Sequence, residues 1–242
     1  MKKGLIIGIN YIGSKYELKG CIPDAFLIYN LLKKKGYKDI TILTDLTENK
    51  PIKENIISSI KKIISEAREG DELFFSFSGH GSFINDRNGD EIDGKDELFV
   101  TLDMRGIIDD EFVSLFQTIP KNIKTIVFMD CCHSGTILDL PYSLYKSKHK
   151  TIQNNKNIFN SPILLISGCR DNQYSLETKI NGKSQGYLTF TFCSIMKNTN
   201  QISLDYLLLK IHRFLYKKRN RKQKPQLSHS FPVNWKKYRL TL

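Results

Sequence analysis

A chain of 242 residues with 40% hydrophobic content can bury a full core in one domain, or in one domain with a small appendage, and its composition excludes a disordered chain. No apolar run approaches the ~20 residues needed to cross a bilayer, so no membrane partner is expected. The formal net charge of +12 is unevenly spread: residues 1–140 carry −4 and residues 141–242 carry +16.

The basic run Lys217–Lys224 has two readings, a solvated helix end that suits the macrodipole and a patch for an acidic partner. The five cysteines are Cys21, Cys131, Cys132, Cys169 and Cys193. Their odd count and the absence of a Cys-x-x-Cys pair fit free thiols in a reducing compartment, with no disulfide framework and no structural zinc. The stretch after Met1-Lys2-Lys3-Gly4 is too short for the apolar core of a secretory signal, so a cytoplasmic protein is expected.

In chain order, Leu5–Ile9 reads as a strand. Pro23–Lys35 is a helix with a stripe at Ala25, Ile28, Leu31 and Leu32, closed by Gly36. Ile40–Leu43 is a short strand. Asn49-Lys50-Pro51 opens a helix carrying Ile56, Ile57, Ile60, Ile63 and Ile64, and Glu72–Phe77 is a buried strand leading into Ser78-Gly79-His80-Gly81. Residues 82–96 read as a polar, acidic loop, closed by the apolar segment Leu98–Leu102. Asp109–Ile119 is a helix with acids at its positive end. Ile123–Met129 is the strand before Asp130-Cys131-Cys132-His133-Ser134-Gly135. Residues 141–160, rich in Lys and Asn and without periodicity, read as a mobile loop. Ile163–Ser167 is a strand, Leu188–Met196 and Ile202–Tyr216 are helices, and Gln226–Ser230 is a last short strand. Such alternation implies an α/β fold whose mostly parallel sheet carries helices on both faces.

A histidine and a cysteine pair thus each follow a buried strand, and residues at the carboxyl ends of adjacent parallel strands share a crevice. A thiol beside an imidazole there is the minimum machinery of covalent acyl transfer. Alternation sends Cys131 and Cys132 to opposite sides, with Asp130 on the side of Cys132. It leaves open which thiol faces the crevice.

The chain resembles the metacaspases, of the caspase-like cysteine peptidase clan. The resemblance rests on an ordered set of segments: Leu18–Ala25, Ser78–Gly81, Asp86–Asp96, Asp109-Asp110, Asp130–Gly135, Asp139-Leu140-Pro141, Ser167-Gly168-Cys169 and Gln223–Ser228. It implies a caspase-like α/β/α sandwich over residues 1–242, with a larger portion (1–140), the 141–160 linker and a smaller portion (161–242). It implies Cys132 as nucleophile and His80 as general acid/base, with the N–H groups of Gly81 and Cys132 as an oxyanion hole. It also implies an acidic pocket of Asp24 and Asp130, lined by Cys21 and Ser78, that takes Arg or Lys.

The resemblance places a calcium site at Asp96, Asp109 and Asp110. The segment from Asp86 is not an EF-hand loop, because its sixth position is Glu91 rather than glycine. The implied activity is a calcium-stimulated cysteine endopeptidase acting on protein or peptide substrates as a monomer, with no organic cofactor. Self-cleavage within 141–160, at Lys146, Lys148, Lys150 or Lys156, is part of the expectation. Lacking the extension of several type I members and the insert of type II members, the chain is expected to be a minimal, type I-like catalytic unit. Two other readings stand beside this one. One is a scaffold that kept the fold without turnover. The other is nucleic-acid binding by the basic half, which lacks interleaved aromatics for base stacking.

Overall fold

A computed structural model describes residues 1–85, 94–132, 134–145, 148–151, 157–168, 177–180, 183–217 and 223–242. Strand β1 (Lys2–Gly8) is apolar on both faces and almost wholly buried, as a strand covered on two sides must be. Helix α1 (Cys21–Lys34) buries Ala25, Ile28, Leu31 and Leu32, and Gly36 at φ 86 supplies the left-handed residue that ends it. Strand β2 (Asp39–Thr44) and helix α2 (Lys53–Ser65) follow, the helix burying Ile56, Ile60 and Ile64. Every residue of β3 (Glu72–Ser78) is buried.

Next come β4 (Gly81–Asn85), β5 (Lys95–Val100), β6 (Gly106–Ile108) and helix α3 (Asp109–Gln117), whose first turn carries Asp109, Asp110 and Glu111. The chain continues through β7 (Lys124–Asp130), β8 (Tyr142–Tyr145), β9 (Lys148–Thr151), β10 (Ile163–Ser167), β11 (Glu177–Ile180) and β12 (Lys183–Gly186). Helix α4 (Tyr187–Lys197), β13 (Gln201–Ser203), helix α5 (Leu204–Lys217), β14 (Gln226–His229) and β15 (Arg239–Thr241) complete it.

The central sheet has eight strands in the order β2-β1-β3-β7-β10-β14-β8-β9. The first five run parallel; β14, β8 and β9 join by antiparallel pairing. Leu5, Ile7, Phe75, Phe77, Val127 and Met129 pack with Ile56 and Ile60 of α2 and Phe112 and Phe116 of α3. Their chain neighbours Ile6, Phe74, Ile126 and Phe128 point the other way, against Ile28 and Leu32 of α1, Phe192 of α4 and Leu207 of α5. Each such buried side chain contributes roughly 1.5–3 kcal/mol, so the parity of every central strand is fixed twice over. That parity decides where the residues beyond the strand ends point.

Three sequence expectations need correction. Within the 141–160 loop, β8 pairs with β14 and β9 pairs with β8; residues 146–147 and 152–156 lie outside the described residues. No periodicity marks these strands because their pairing comes from the open side of β14, and Leu144 of β8 is buried against the distant core. The acidic loop is bounded by two strands, β4 and β5, which with β6 form a small antiparallel sheet; residues 86–93 lie outside the described residues. The helix expected from Ile202 begins at Leu204, because Gln201–Ser203 pairs with β15, a strand with no sequence signal of its own.

Candidate active site

Strands β3 and β7 are in register from Glu72 opposite Lys124 to Ser78 opposite Asp130. His80 and Cys132 each lie two residues beyond that last pair, so they continue the same alternation on the same face. The other parity carries Met129 and Cys131 into the core beside Phe77. Cys131 is 2% exposed, and burial, aided by the charges of Cys132 and Asp130, pushes its thiol well above the usual range. Its carbonyl accepts from the Ser134 hydroxyl at 3.0 Å. Cys132 is half-buried. The question that alternation leaves open is answered by packing: Cys131 is core, and Cys132 faces the crevice. His133 lies outside the described residues.

Gly81 and Cys132 meet through their backbones. A Cβ at Gly81 would collide with the Cys132 carbonyl oxygen and stand 3.2 Å from its nitrogen. Glycine is needed there to let two turns touch, a closer reason than room for a substrate. The His80 carbonyl accepts from Val100 N–H at 2.9 Å. Its Nε2 stands 2.8 Å from the Tyr16 carbonyl oxygen. A carbonyl only accepts, so this nitrogen carries the proton in the neutral ring and Nδ1 carries the lone pair. A main-chain carbonyl leaves no trace in sequence, which is why Tyr16 was not foreseen.

Asp24 and Asp130 are 2% and 4% exposed. Asp24, in the first turn of α1, accepts from the Ser78 hydroxyl at 3.0 Å. Both of its oxygens accept from Gly186 N–H, each at 3.0 Å. Asp130 Oδ2 accepts from Thr189 N–H at 3.0 Å and from its hydroxyl at 2.8 Å. Gly186 is the N-cap of α4 and offers no side chain, so carboxylates from α1 and β7 satisfy the amides of α4's first turn. A Cβ at Gly186 would collide with Asp130 Oδ2 and lie 2.7 Å from Asp24 Oδ2. The two carboxylates therefore converge on the Gly186 backbone.

Cys21 is buried at the start of α1, three residues before Asp24. The buried Cys193 thiol is raised far above its ordinary value by burial and by the charges of Asp24 and Asp130, as suits a thiol that serves as packing. Cys169 lies outside the described residues. Nothing in the local sequence marks Gly186 or Thr189 as site residues, because one acts through its main-chain N–H and the other pairs with a carboxylate 59 residues away.

Asp96 and Asp109 are buried, and Asp109 opens α3 with Asp110 next to it in the first turn. The Asp109 carboxylate accepts from Glu97 N–H and Asp110 N–H, both at 2.8 Å. Burial raises it to about 6, against those two bonds, and the charges of Asp96 and Asp110 add to the rise. The donors are hard oxygens of the kind calcium takes. Among the described residues, however, no group of three or more His, Cys, Asp or Glu side chains is gathered to hold a metal ion. The Thr136 hydroxyl donates to Glu97 Oε2 at 2.8 Å, tying this acidic strand to the loop after Cys132. Gln226 Nε2 donates to the Gly135 carbonyl at 2.5 Å, tying the same loop to β14.

An α/β sandwich with this strand order, and a thiol and imidazole at the ends of neighbouring central strands, belongs to the caspase-like class of cysteine peptidases. The fold is shared with solved structures: caspase-1 from Spodoptera frugiperda superposes with a TM-score of 0.60 at 13% identity, over 94% of this chain and 85% of that one. Protein GSU0716 from Geobacter sulfurreducens superposes at 0.72 with 25% identity, over 96% and 94%. Residues 2–141 match the family described as Metacaspase, peptidase C14 domain. Metacaspase-1 of Schizosaccharomyces pombe is 33% identical over 96% of this chain and 68% of its own, and that of Candida glabrata is 33% identical over 96% and 74%. The chain belongs to the metacaspase family and is a cysteine-type endopeptidase.

Proposed function

We propose that this chain is a calcium-stimulated endopeptidase that cleaves after Arg or Lys through Cys132 and His80. One observation carries the reading. The β3–β7 register ends with Ser78 opposite Asp130, His80 and Cys132 follow two residues beyond on turns whose backbones touch at Gly81 and Cys132, and Asp24 is hydrogen-bonded to Ser78 beside them.

The Cys132 thiolate attacks the scissile carbonyl carbon, and the N–H groups of Gly81 and Cys132 receive the oxyanion, where one such donor is worth roughly 3–4 kcal/mol. His80, held at Nε2 by Tyr16, takes the Cys132 thiol proton at Nδ1 as the thiolate forms and carries it to the leaving group. It protonates the departing amine, leaving an acyl thioester on Cys132. Water then attacks that thioester while His80 takes its proton, and the thiol is released with the new carboxyl group.

The P1 side chain enters the space between Asp24 and Asp130, beside Cys21 and Ser78. Two buried carboxylates so close raise each other's energy, and a guanidinium or ammonium offsets that more fully than the α4 amides alone.

Asp96, Asp109 and Asp110 would hold calcium if their carboxylates drew together further than they do in the structure, where they are not gathered as three; the ion would then supply positive charge that relieves their repulsion. The Glu97–Thr136 bond offers a route from this cluster to the loop carrying Cys132. Protein substrates, a monomeric state, a cytoplasmic location and the absence of an organic cofactor complete the reading. Self-cleavage at Lys148 or Lys150 requires β9 to leave its pairing with β8; Lys146 and Lys156 lie outside the described residues.

Purified protein incubated with arginyl and lysyl fluorogenic peptides, with and without calcium, tests the proposal. Hydrolysis that rises with calcium and disappears in Cys132→Ala is expected. No cleavage under either condition, or cleavage that survives the substitution, refutes it.

A further inference from the structure

The loop between β1 and α1 grips the turn that carries His80, and it does so through one strained residue. Tyr11 is a bulky residue at φ 54, in the left-handed region that such side chains avoid. Several bonds hold it there. Asp45 accepts from the N–H groups on either side, Asn10 at 2.7 Å and Ile12 at 3.0 Å. Asn10 Oδ1 accepts from the N–H groups of Cys21 at 3.0 Å and Ile22 at 3.1 Å, anchoring the loop to the start of α1. The Asn10 carbonyl accepts from Leu18 N–H at 2.7 Å, and the Tyr11 carbonyl accepts from Ser14 N–H at 3.0 Å.

This conformation turns the Tyr11 ring inward. The residue is 1% exposed, and its ring centroid lies 4.8 Å from that of His80. Its hydroxyl accepts from His80 N–H at 2.9 Å and donates to the Val100 carbonyl at 2.7 Å. Strands β4 and β5 pair through Gly81 and Phe99, which makes His80 and Val100 the next pair in the ladder. A hydrogen-bonded antiparallel pair exchanges two direct bonds. Here only Val100 N–H to the His80 carbonyl is direct; the tyrosine hydroxyl is inserted into the other. The ladder is wedged open at His80, the residue that must leave the small sheet to face Cys132. Burial holds the phenol in its protonated form, able to accept and donate at once. Gly79 makes room, since a Cβ there would lie 2.9 Å from the hydroxyl.

We propose that Tyr11 is a positioning residue for the peptidase reaction, its hydroxyl fixing the main chain of His80 so that the imidazole is held against Cys132. This rests on the assignment of His80 and Cys132 given above. The Tyr16 carbonyl belongs to the same loop, so His80 is held at backbone and ring by one segment.

Tyr11→Phe keeps the ring and removes the bridge. Two readouts decide the proposal: kcat and KM on an arginyl peptide, and the pH profile of Cys132 alkylation by iodoacetamide, followed by peptide mapping. In the variant kcat is expected to fall about 10-fold or more with KM within about twofold, and the alkylation profile to move toward that of a free thiol near ~8.5. An unchanged alkylation profile with kcat within about twofold of wild type overturns the proposal, and so does a lowered melting temperature without movement of the profile. Should Tyr11→Phe fail to fold, Asp45→Asn, which loosens the loop and retains the hydroxyl, must reproduce the loss of kcat and the shifted profile; wild-type behaviour overturns it. If the wild-type protein hydrolyses no arginyl peptide, the peptidase assignment fails, while the alkylation comparison still decides the role of Tyr11.

Discussion

Ser78 and Asp130 are direct register partners at the last residues of β3 and β7, and that pairing separates two adjacent thiols into different environments. Cys131 follows the parity of Met129 into the core, whereas Cys132 follows Asp130 to the crevice. Cys131→Ala is therefore expected to retain peptidase activity and to lose about 1 kcal/mol of stability, the scale of a small buried group. Cys132→Ala loses activity with little change in stability. Paired measurements of melting temperature and arginyl-peptide hydrolysis check this; the reverse pattern would reject the assignment.

Asp24 serves the pocket and α4 together. Asp24→Asn is expected to lower kcat/KM on arginyl peptides by about 100-fold, because a neutral amide no longer complements the cation. It is also expected to cost about 1–2 kcal/mol of stability through the weakened cap of α4. Hydrolysis of a peptide with citrulline in place of arginine should fall far less. Equal losses on both peptides would show that Asp24 supports the fold without selecting the substrate.

Gly186 is predicted to be intolerant of even one carbon. Its φ of −69 is ordinary, so Gly186→Ala incurs no backbone strain, and its effect comes from the collision with Asp130 and Asp24. KM for arginyl peptides is expected to rise about 10-fold or more, with iodoacetamide reactivity of Cys132 unchanged. An arginyl KM equal to wild type would show that the carboxylates can move apart freely.

The parts of this site that the sequence discloses are those written in strand parity and side-chain chemistry. The strands leading into Ser78 and Asp130 are apolar enough to read as buried, a thiol and an imidazole at their ends declare themselves by type, and Asp24 and Asp130 are reached through the family resemblance. What stays hidden is supplied by the main chain or by distant pairing. The Tyr16 carbonyl and the Gly186 amide act without a side chain, and β8 and β9 exist because β14 leaves a partner side open. The choice between Cys131 and Cys132 needs packing against α2 and α3, which no local pattern contains.

If the acidic cluster regulates Cys132 through Glu97, Thr136 should transmit calcium binding without contributing to it. Thr136→Val removes the hydroxyl that donates to Glu97. It is expected to leave calcium affinity, measured by calorimetry, within about twofold, and to reduce calcium stimulation of hydrolysis about fivefold or more; these values follow from losing one charge-assisted bond of ~1.5–3 kcal/mol. Chelation should return wild-type activity to its unstimulated level. Full stimulation in Thr136→Val would place the coupling elsewhere.

His229 makes acid stability measurable at one residue. Its Nδ1 stands 3.0 Å from both the N–H and the carbonyl oxygen of Phe231, while among the described residues its buried Nε2 has no hydrogen-bond partner. Burial lowers its pKa to about 4, against the raising effect of its backbone contact with Phe231. The neutral ring is therefore the native form, and the unfolded chain takes up the extra proton between its ordinary value of ~6.5 and about 4. The stability that His229 contributes is full above that window and is lost as pH falls through it, by up to about 3 kcal/mol. Asp109, raised to about 6, acts in the opposite sense over an overlapping range, so the wild-type curve alone does not isolate the histidine. His229→Asn retains an acceptor for Phe231 N–H and has no proton to gain. Urea unfolding of both proteins at pH 7 and pH 4.5 should show the variant losing less stability on acidification, by about 2–3 kcal/mol. Parallel curves would mean that His229 is protonated in the native state or already titrates normally.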